Sequence, residues 1–239
     1  MTDGDCYRCG ESYTKRGMSR HLRACLPDSD GEATLHLRIA GARRSDYWLH
    51  LALEGETTLA TLDSFLRRLW LECCSHMSAF TVGNVRYEKP YTDDEPAIGL
   101  RTERRPMDVP IGSVVGATDE EFGYEYDFGS TTALEIRVVD VGGWDLESLA
   151  ERGTDAVTAG PDEIALLARN HEPEIACGSC DEPAETVCQT CLWERGPDAW
   201  LCEACADAHE DDCTRPSYLP RVNSPRTGVC AYAGSSMDV

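Results

Sequence analysis

The alternating stretch at residues 34–39 reads Thr-Leu-His-Leu-Arg-Ile and decides the fold class of the central part of the chain. Its two leucines and its isoleucine fall on one face of an extended chain, whereas His36 and Arg38 fall on the other. This pattern predicts a half-buried strand. Residues 49–53 alternate in the same way and predict a second strand.

The segments that follow predict one helix and two hairpins. Apolar residues recur at three- and four-residue steps through residues 59–73, after a capping threonine, which predicts an amphipathic helix. The Gly-Asn pair at 83–84 and the Gly-Ser-Thr triplet at 129–131 predict hairpin turns, and the charged, proline-containing residues 89–110 predict a loop. We therefore expect residues 33–142 to form an α+β domain, in which a helix packs on a small mixed sheet.

Two motifs carry a family resemblance: Ser-His-Met-Ser-Ala-Phe at residues 75–80 and Tyr-Glu-Tyr-Asp-Phe-Gly at residues 124–129. Together with the strand at 35–39 and the helix at 58–69, they make residues 35–141 similar to the plasmid ORF-three-like (pRiA-type) family. That family includes insertion-sequence passenger proteins labelled as resolvase-like. The resemblance implies a small α+β domain and a mobile-element context.

The chain departs from the family pattern after the second motif, where it lacks the Asp, Trp and His that the family usually has. His76, Tyr126 and Asp127 remain, and a His-carboxylate pair could act as a general base. The alternative of a recombination-related enzyme working at these three residues stays open. A structural role is favoured because the sequence offers no nucleophile or third orienting group. Cys73 and Cys74 are predicted to be a core residue on a helix face and its neighbour.

The amino-terminal residues 1–26 predict a first metal site. Two ligands on a knuckle and two on one helix face provide the geometry that tetrahedral zinc needs. The pattern resembles the ββα zinc finger in its Cys-Cys-His-Cys form, with Tyr13 and Met18 at the core aromatic and core leucine positions of that family. The four candidate ligands are Cys6, Cys9, His21 and Cys25.

This finger is where the local charge permits contact with nucleic acid. Residues 1–26 carry five basic and three acidic side chains, in a chain of net charge -21. The resemblance to DNA-reading fingers implies base-facing positions at Thr14, Gly17 and Arg20, of which Arg20 alone could make a bidentate contact with guanine. A structural or protein-binding role for the finger explains the same residues equally well.

Residues 177–213 predict a second metal module with eight ligands in four spaced pairs. Eight ligands satisfy two structural zinc ions and leave no open coordination position for catalysis. The pattern resembles the cross-braced B-box and MYND fingers, which implies that the first and third pairs share one ion and the second and fourth pairs share the other. Sequential pairing stays open because the gap between the second and third pairs is long. The ligands are Cys177, Cys180, Cys188, Cys191, Cys202, Cys205, His209 and Cys213.

The charge of the carboxy-terminal module predicts its class of partner. Ten carboxylates and one arginine, Arg195, lie within residues 177–213, so the module should repel nucleic acid and favour a protein surface. Trp193 and Trp200 are candidate anchors for that partner. Cys230 has no spaced partner and stays unassigned.

The remaining segments are predicted to be connections. Residues 143–172 predict a helical linker with helices at 144–152 and 161–170, and residues 214–239 predict an irregular tail. No apolar run approaches the roughly 18 residues of a membrane span, and no secretory signal is seen, so a reducing cytoplasm is expected. Strong acidity with only two lysines predicts a salt-rich, halophilic cytosol.

These patterns predict a non-enzymatic zinc-binding adaptor, with two finger modules flanking an ORF-three-like domain and three zinc ions in all. We expect it to bind protein, to contact nucleic acid through the amino-terminal finger only, and to bind no membrane.

Overall fold

The computed structural model describes residues 2–26, 33–89, 103–144, 146 and 164–235. Four α-helices lie within these ranges: α1 Lys15–Cys25, α2 Leu59–Leu66, α3 Gln189–Arg195 and α4 Glu203–His209. A π-helical turn, Arg67–Leu71, continues α2, and two 3-10 turns span Ile111–Ser113 and Gly196–Ala199. The strands in the same ranges are β1 Asp3–Cys6, β2 Ser12–Thr14, β3 Ala33–Gly41, β4 Trp48–Glu54, β5 Ser78–Val82, β6 Val85–Glu88, β7 Glu103–Pro106, β8 Glu121–Tyr126, β9 Thr132–Gly143, β10 Ile164–Asn170, β11 Thr186–Cys188, β12 Trp200–Leu201 and β13 Tyr218–Pro220.

Ten strands form one large sheet in the order β2-β1-β10-β4-β3-β9-β8-β5-β6-β7. Neighbouring strands run antiparallel except β6 and β7, which are parallel. Both predicted hairpins are present, as β5–β6 and β8–β9. The predicted α+β class is confirmed. The sheet is larger than the small one predicted, because β10, β1 and β2 extend it beyond β4 and the short β7 lies within the predicted loop.

One face of the sheet packs against α2 and its π-helical continuation. Thr58 caps α2 by accepting a hydrogen bond at Oγ1 from the Thr61 N–H, 3.1 Å away. The apolar face of the helix then packs on the alternate residues of the strands, so that the alternation read in the sequence becomes the larger core of the molecule. Fully buried members of this core are Leu37, Ile39, Leu49, Leu51, Leu62, Phe65, Leu69, Phe80, Tyr124 and Ile136.

The opposite face of the sheet packs against α1, the helix of the amino-terminal finger. Met18 and Leu22 of α1 join Trp48, Ala52 and Trp144 in a second apolar core. His36 was expected on an exposed strand face, but it is fully buried there, with its Nε2 2.8 Å from Nδ1 of the equally buried His50. The expectation of a half-buried strand was wrong because a second layer covers this face.

One of the two predicted linker helices forms a strand in the structure. The predicted helix at 161–170 is wrong for Ile164–Asn170, which forms β10 and is buried on both faces between β4 and β1. A short apolar run of this kind suits a helix or a buried strand equally, so pairing with two neighbours decides the outcome. Of the other predicted linker helix, at 144–152, all but Trp144 and Leu146 fall outside the described residues.

The predicted irregular tail is ordered where the structure describes it. Tyr218–Pro220 forms β13, which pairs with β11 in a three-stranded sheet of order β12-β11-β13. Ser224 and Arg226 are then buried against the family-like domain: Ser224 Oγ donates to the Trp70 carbonyl at 2.6 Å. The tail therefore connects the carboxy-terminal module to the large sheet. Within the described residues, no helix has the length and apolar character that crossing a membrane requires.

Candidate metal centres

The amino-terminal group is assembled by a β-hairpin and the helix that follows it. Cys6 ends β1, Cys9 lies in the turn, and His21 and Cys25 share one face of α1. The turn closes because Gly10, at φ +76°, donates its N–H to the Cys6 carbonyl at 2.7 Å. Such a φ favours glycine. The four ligand atoms lie within 4.8 Å of one another.

The amino-terminal segment that carries this group is built into the large sheet. β1 pairs with β10 from Gly4↔Asn170 to Cys6↔Ala168, and a side chain at Gly4 would collide with the Arg169 backbone. Tyr13 stacks on the His21 ring at a centroid distance of 4.3 Å, which fixes the orientation of the imidazole. The segment and the sheet thus share backbone hydrogen bonds across residues 3–6.

The carboxy-terminal ligands form two crossed groups. Cys177 and Cys180 lie with Cys202 and Cys205 in one group, and the other contains Cys188, Cys191, His209 and Cys213. The second and fourth pairs meet because β11 leads into α3, where Cys191 lies, and α4 carries His209 across from it. This is the arrangement that the B-box and MYND resemblance implies, rather than sequential pairing.

Distances inside these groups suit ligands around a shared centre. Cys180 Sγ lies 3.7 Å from both Cys202 Sγ and Cys205 Sγ, and Cys191 Sγ lies 3.4 Å from His209 Nε2. A disulfide would bring two sulfurs to about 2.05 Å. All thirteen cysteines are instead free thiols.

Backbone N–H groups lower the pKa of one cysteine in each carboxy-terminal group. Burial opposes ionisation of Cys177, but the N–H groups of Cys202, Ser179 and Cys180 outweigh it and lower the pKa of this thiol to about 6. Burial likewise opposes ionisation of Cys188, whose pKa is also lowered to about 6 by backbone N–H groups, led by that of Ser217.

Neighbouring sulfurs act in the opposite direction on other ligands. The thiols of Cys202, Cys180 and Cys177 raise the pKa of Cys205 to about 12. Four sulfurs held this close cannot all be thiolates at neutral pH unless a cation compensates their charge. The groups therefore have the donor chemistry of metal centres.

The structure also brings together a fourth group that sequence reasoning missed. Cys73, Cys74, His76 and Cys230 place their ligand atoms within 4.8 Å of one another. Cys230 was unassigned in the sequence, and the other two cysteines were predicted as parts of a helix. The helical placement was wrong, because the helical turn ends at Leu71 and both lie in the loop after it, although Cys73 does pack against the larger core. Four groups in the described chain could thus hold a metal ion.

The residues of the alternative enzyme site do converge, but each is already engaged. His76 Nε2 lies 3.6 Å from Asp127 Oδ2, and the rings of His76 and Tyr126 meet edge to face. Asp127 Oδ2 accepts from Arg226 at 2.7 Å. Tyr126 donates its hydroxyl to Glu72 and accepts from the N–H groups of the loop. These contacts support local structure around the fourth group.

The family model described as plasmid pRiA4b ORF-3-like protein matches residues 33–163, which is more than half of the chain. No curated protein matches the chain. A crystal structure of a protein of unknown function from Methanosarcina mazei Go1 is similar at a TM-score of 0.41 and 14% identity, covering 48% of this chain and 64% of that one. The match thus spans less than two thirds of the length of that protein. On the strength of the family match, the chain belongs to the plasmid pRiA4b ORF-3-like family.

Proposed function

We propose that this protein is a zinc-binding adaptor whose carboxy-terminal module docks on a basic, Lys- or Arg-rich surface of a protein partner. The observation that carries the proposal is the exposed Trp193 among carboxylates that form no ion pair within the part of the chain that the structure describes. The domain organisation we propose keeps the predicted finger at 1–26, the family domain at 33–142, the two-zinc module at 177–213 and the tail at 214–239. Within the predicted linker at 143–172, the strand β10, Ile164–Asn170, belongs to the large sheet.

Zinc is the ion that the three predicted groups fit best. Zn–S and Zn–N bonds of about 2.3 and 2.0 Å place the ligand atoms of a tetrahedral site roughly 3.5–3.8 Å apart. The 3.7 Å between Cys191 Sγ and Cys213 Sγ falls in this range, and the 3.3 Å between Cys9 Sγ and His21 Nε2 is slightly shorter. Sulfur and imidazole donors without carboxylates favour Zn²⁺ over Mg²⁺ or Ca²⁺. With four protein ligands to each ion, these sites act as scaffolds.

The carboxy-terminal module exposes one tryptophan among acidic side chains. Trp193, on α3, is 91% exposed, whereas Trp200 is only 7% exposed and packs into the core of the module. Of the two candidate anchors, Trp193 is therefore the one available to a partner. All ten carboxylates of residues 177–213 are exposed, and none forms an ion pair with the residues described.

This combination selects a basic partner. An unpaired acidic surface speeds and orients the approach of a positively charged protein and disfavours nucleic acid. An exposed indole adds a stacking surface for a Lys or Arg side chain. Buried Trp residues at interfaces commonly contribute 2 kcal/mol or more to binding.

A capture experiment with the full chain tests the proposal. Wild-type protein, Trp193→Ala and Phe128→Ala are immobilised, and retained proteins are identified and then titrated as pure components. Phe128, 44% exposed on the family domain, is the matched control. We expect a basic protein whose affinity falls about 30-fold in Trp193→Ala, weakens with salt and is unchanged in Phe128→Ala. Equal affinity of every captured protein for all three chains would refute the proposal.

Contact with nucleic acid through the amino-terminal finger is a second candidate function. Arg16 and Arg20 are exposed on α1 and available, whereas Lys15 donates to the Ser45 carbonyl and Arg23 lies beside Asp140. Titration of the full chain with short DNA duplexes at increasing salt tests this candidate. If the finger contacts phosphates, its affinity for DNA should fall as the salt concentration rises and should be lower in Arg20→Ala than in wild type. Affinity that changes neither with salt nor with Arg20→Ala would rule this candidate out.

A further inference from the structure

We propose a fourth zinc site, formed by Cys73, Cys74, His76 and Cys230, that fastens the carboxy-terminal tail to the family domain. The proposal stands on residues outside the three predicted metal groups and does not depend on the partner-binding function. It would also complete the use of cysteine in this chain, because all thirteen cysteines then belong to metal groups.

The ligands come from two distant segments. Three follow the π-helical turn that ends at Leu71, and the fourth arrives from the tail, 154 residues after His76. His76 Nε2 lies 3.2 Å from Cys230 Sγ, which is close to the edge expected between nitrogen and sulfur ligands of one tetrahedral ion. Three sulfurs and one imidazole repeat the donor set of the amino-terminal group.

The loop that carries three ligands is held in place by side chains around it. The Tyr126 hydroxyl accepts from the N–H of Cys73 at 3.4 Å and from that of His76 at 3.3 Å. Glu72 Oε1 accepts from the Ser75 N–H at 2.5 Å and from the Tyr126 hydroxyl at 3.0 Å. Hydrogen bonds of this kind hold the loop and orient its metal ligands before the ion binds.

The tail segment is held by the hydrogen bonds of one buried arginine. Arg226 is fully buried and donates to Asp127 Oδ2 at 2.7 Å, to the Ser130 carbonyl at 3.1 Å and to Thr132 Oγ1 at 3.0 Å. Its Nη2 also lies 3.3 Å from Cys73 Sγ. This contact joins the buried tail arginine directly to one ligand of the group.

Backbone conformation gives an independent indication. Five described residues other than glycine have positive φ, and four of them surround this group: Ser75 at +58°, Asp127 at +63°, Cys230 at +48° and Ala231 at +55°. Such conformations cluster at functional sites, where the surrounding structure holds them. The fifth, Asp119, lies elsewhere.

Exposure distinguishes this site from the most buried carboxy-terminal group. Cys74 is exposed and the other three ligands are half-buried, whereas Cys188, Cys191, His209 and Cys213 are all buried. A chelator can reach the fourth site directly. We therefore expect this ion to leave before that of the buried group, releasing residues 226–232 from the sheet.

Metal analysis of the full chain, purified under reducing conditions, tests the site. The variant Cys74→Ser/Cys230→Ser removes two ligands, and Thr118→Ala, an exposed change elsewhere in the family domain, is the control. We expect the double variant to hold one zinc ion fewer than wild type and Thr118→Ala to hold the same number. Because the readout is a difference of one ion, it does not depend on occupancy of the other groups. Equal zinc content in all three chains would overturn the proposal.

A second measurement covers the case in which the double variant does not fold. Cys74→Ser changes one exposed side chain, and competition with a graded chelator reports the affinity of each ion. Loss of a side chain that only orients a ligand weakens metal binding about 10- to 100-fold. Because Cys74→Ser removes a ligand itself, we expect one ion to be released at chelator strengths at least about 100-fold lower than in wild type. Release curves that match wild type, or a disulfide among Cys73, Cys74 and Cys230 in the zinc-loaded protein, would overturn the site.

Discussion

Replacing the buried Arg226 by methionine should destabilise the protein by about 3 kcal/mol at neutral pH. The change removes a guanidinium that is fully buried and pairs at 2.7 Å with Asp127, whose side chain is 6% exposed. Breaking one partner of a buried ion pair costs roughly 3–5 kcal/mol. The lower value applies because Asp127 Oδ1 keeps the N–H groups of Gly129 and Ser130.

The cost should depend on pH with a definite sign. Burial tends to raise the pKa of Asp127, but the Arg226 guanidinium and two backbone N–H groups lower it below its usual value. The wild-type pair therefore stabilises the fold above the unfolded pKa of about 3.9, and this contribution disappears as the pH falls through the folded pKa. The difference between Arg226→Met and wild type should be largest near pH 7 and should shrink below about pH 4.

Urea unfolding in excess zinc, followed by circular dichroism, measures this cost. Arg137→Met is the matched control, because Arg137 pairs with Asp119 and Glu121 at an exposed site and should cost less than about 1 kcal/mol. A double-mutant cycle with Asp127→Asn should show a coupling of at least about 1 kcal/mol. If Arg226→Met costs no more than Arg137→Met, the reasoning about the buried pair is refuted.

Three further changes have expected outcomes. Trp200→Ala should destabilise the carboxy-terminal module by about 3–5 kcal/mol, because the indole packs in its core, whereas Trp193→Ala should stay within about 0.5 kcal/mol; thermal unfolding separates the two. Burial lowers the pKa of His36 to about 3 and that of His50 well below its usual value, so both stay neutral in the fold while the unfolded chain protonates below about pH 6.5. Stability should therefore fall with decreasing pH below 6.5, by about 1.4 kcal/mol per unit for each histidine, and pH-dependent urea unfolding should show a flatter profile in His36→Gln/His50→Gln. Graded chelation should remove zinc last from the carboxy-terminal group whose four ligands are all buried, and metal-release kinetics that show it leaving first would contradict this order.

The parts of the fold that depend on local pattern could be predicted from sequence. Alternation sufficed for the strands β3 and β4, and turn residues sufficed for the β5–β6 and β8–β9 hairpins, because strands joined by short turns pair with their sequence neighbours. The helix at α2 followed from its cap and apolar spacing in the same way. Each of these signals is complete within about 20 residues.

The errors arose where distant segments meet. β10 has the composition of either a helix or a buried strand, and its pairing with β1 and β4 is not visible locally. His36 was placed on an exposed face because nothing near it in sequence indicates that α1 covers that face. The size of the sheet was underestimated for the same reason.

Three of the candidate metal groups could be found from local spacing in the sequence, and the fourth could not. Ligands three or four residues apart revealed the pairs of the three predicted groups, and the resemblance to B-box and MYND fingers implied how the carboxy-terminal pairs cross. The fourth group has no such spacing, since Cys230 joins Cys73, Cys74 and His76 only when the tail folds back on the sheet. An adjacent pair of cysteines, followed by a nearby histidine, was the one available signal.

Counting the zinc ions in the folded chain tests whether zinc ions hold this protein in its fold. Elemental analysis of protein purified with reductant and without added chelator supplies the count. We expect four ions per chain, three in the two predicted modules and one in the group formed by Cys73, Cys74, His76 and Cys230. A folded chain that holds fewer than three would contradict it.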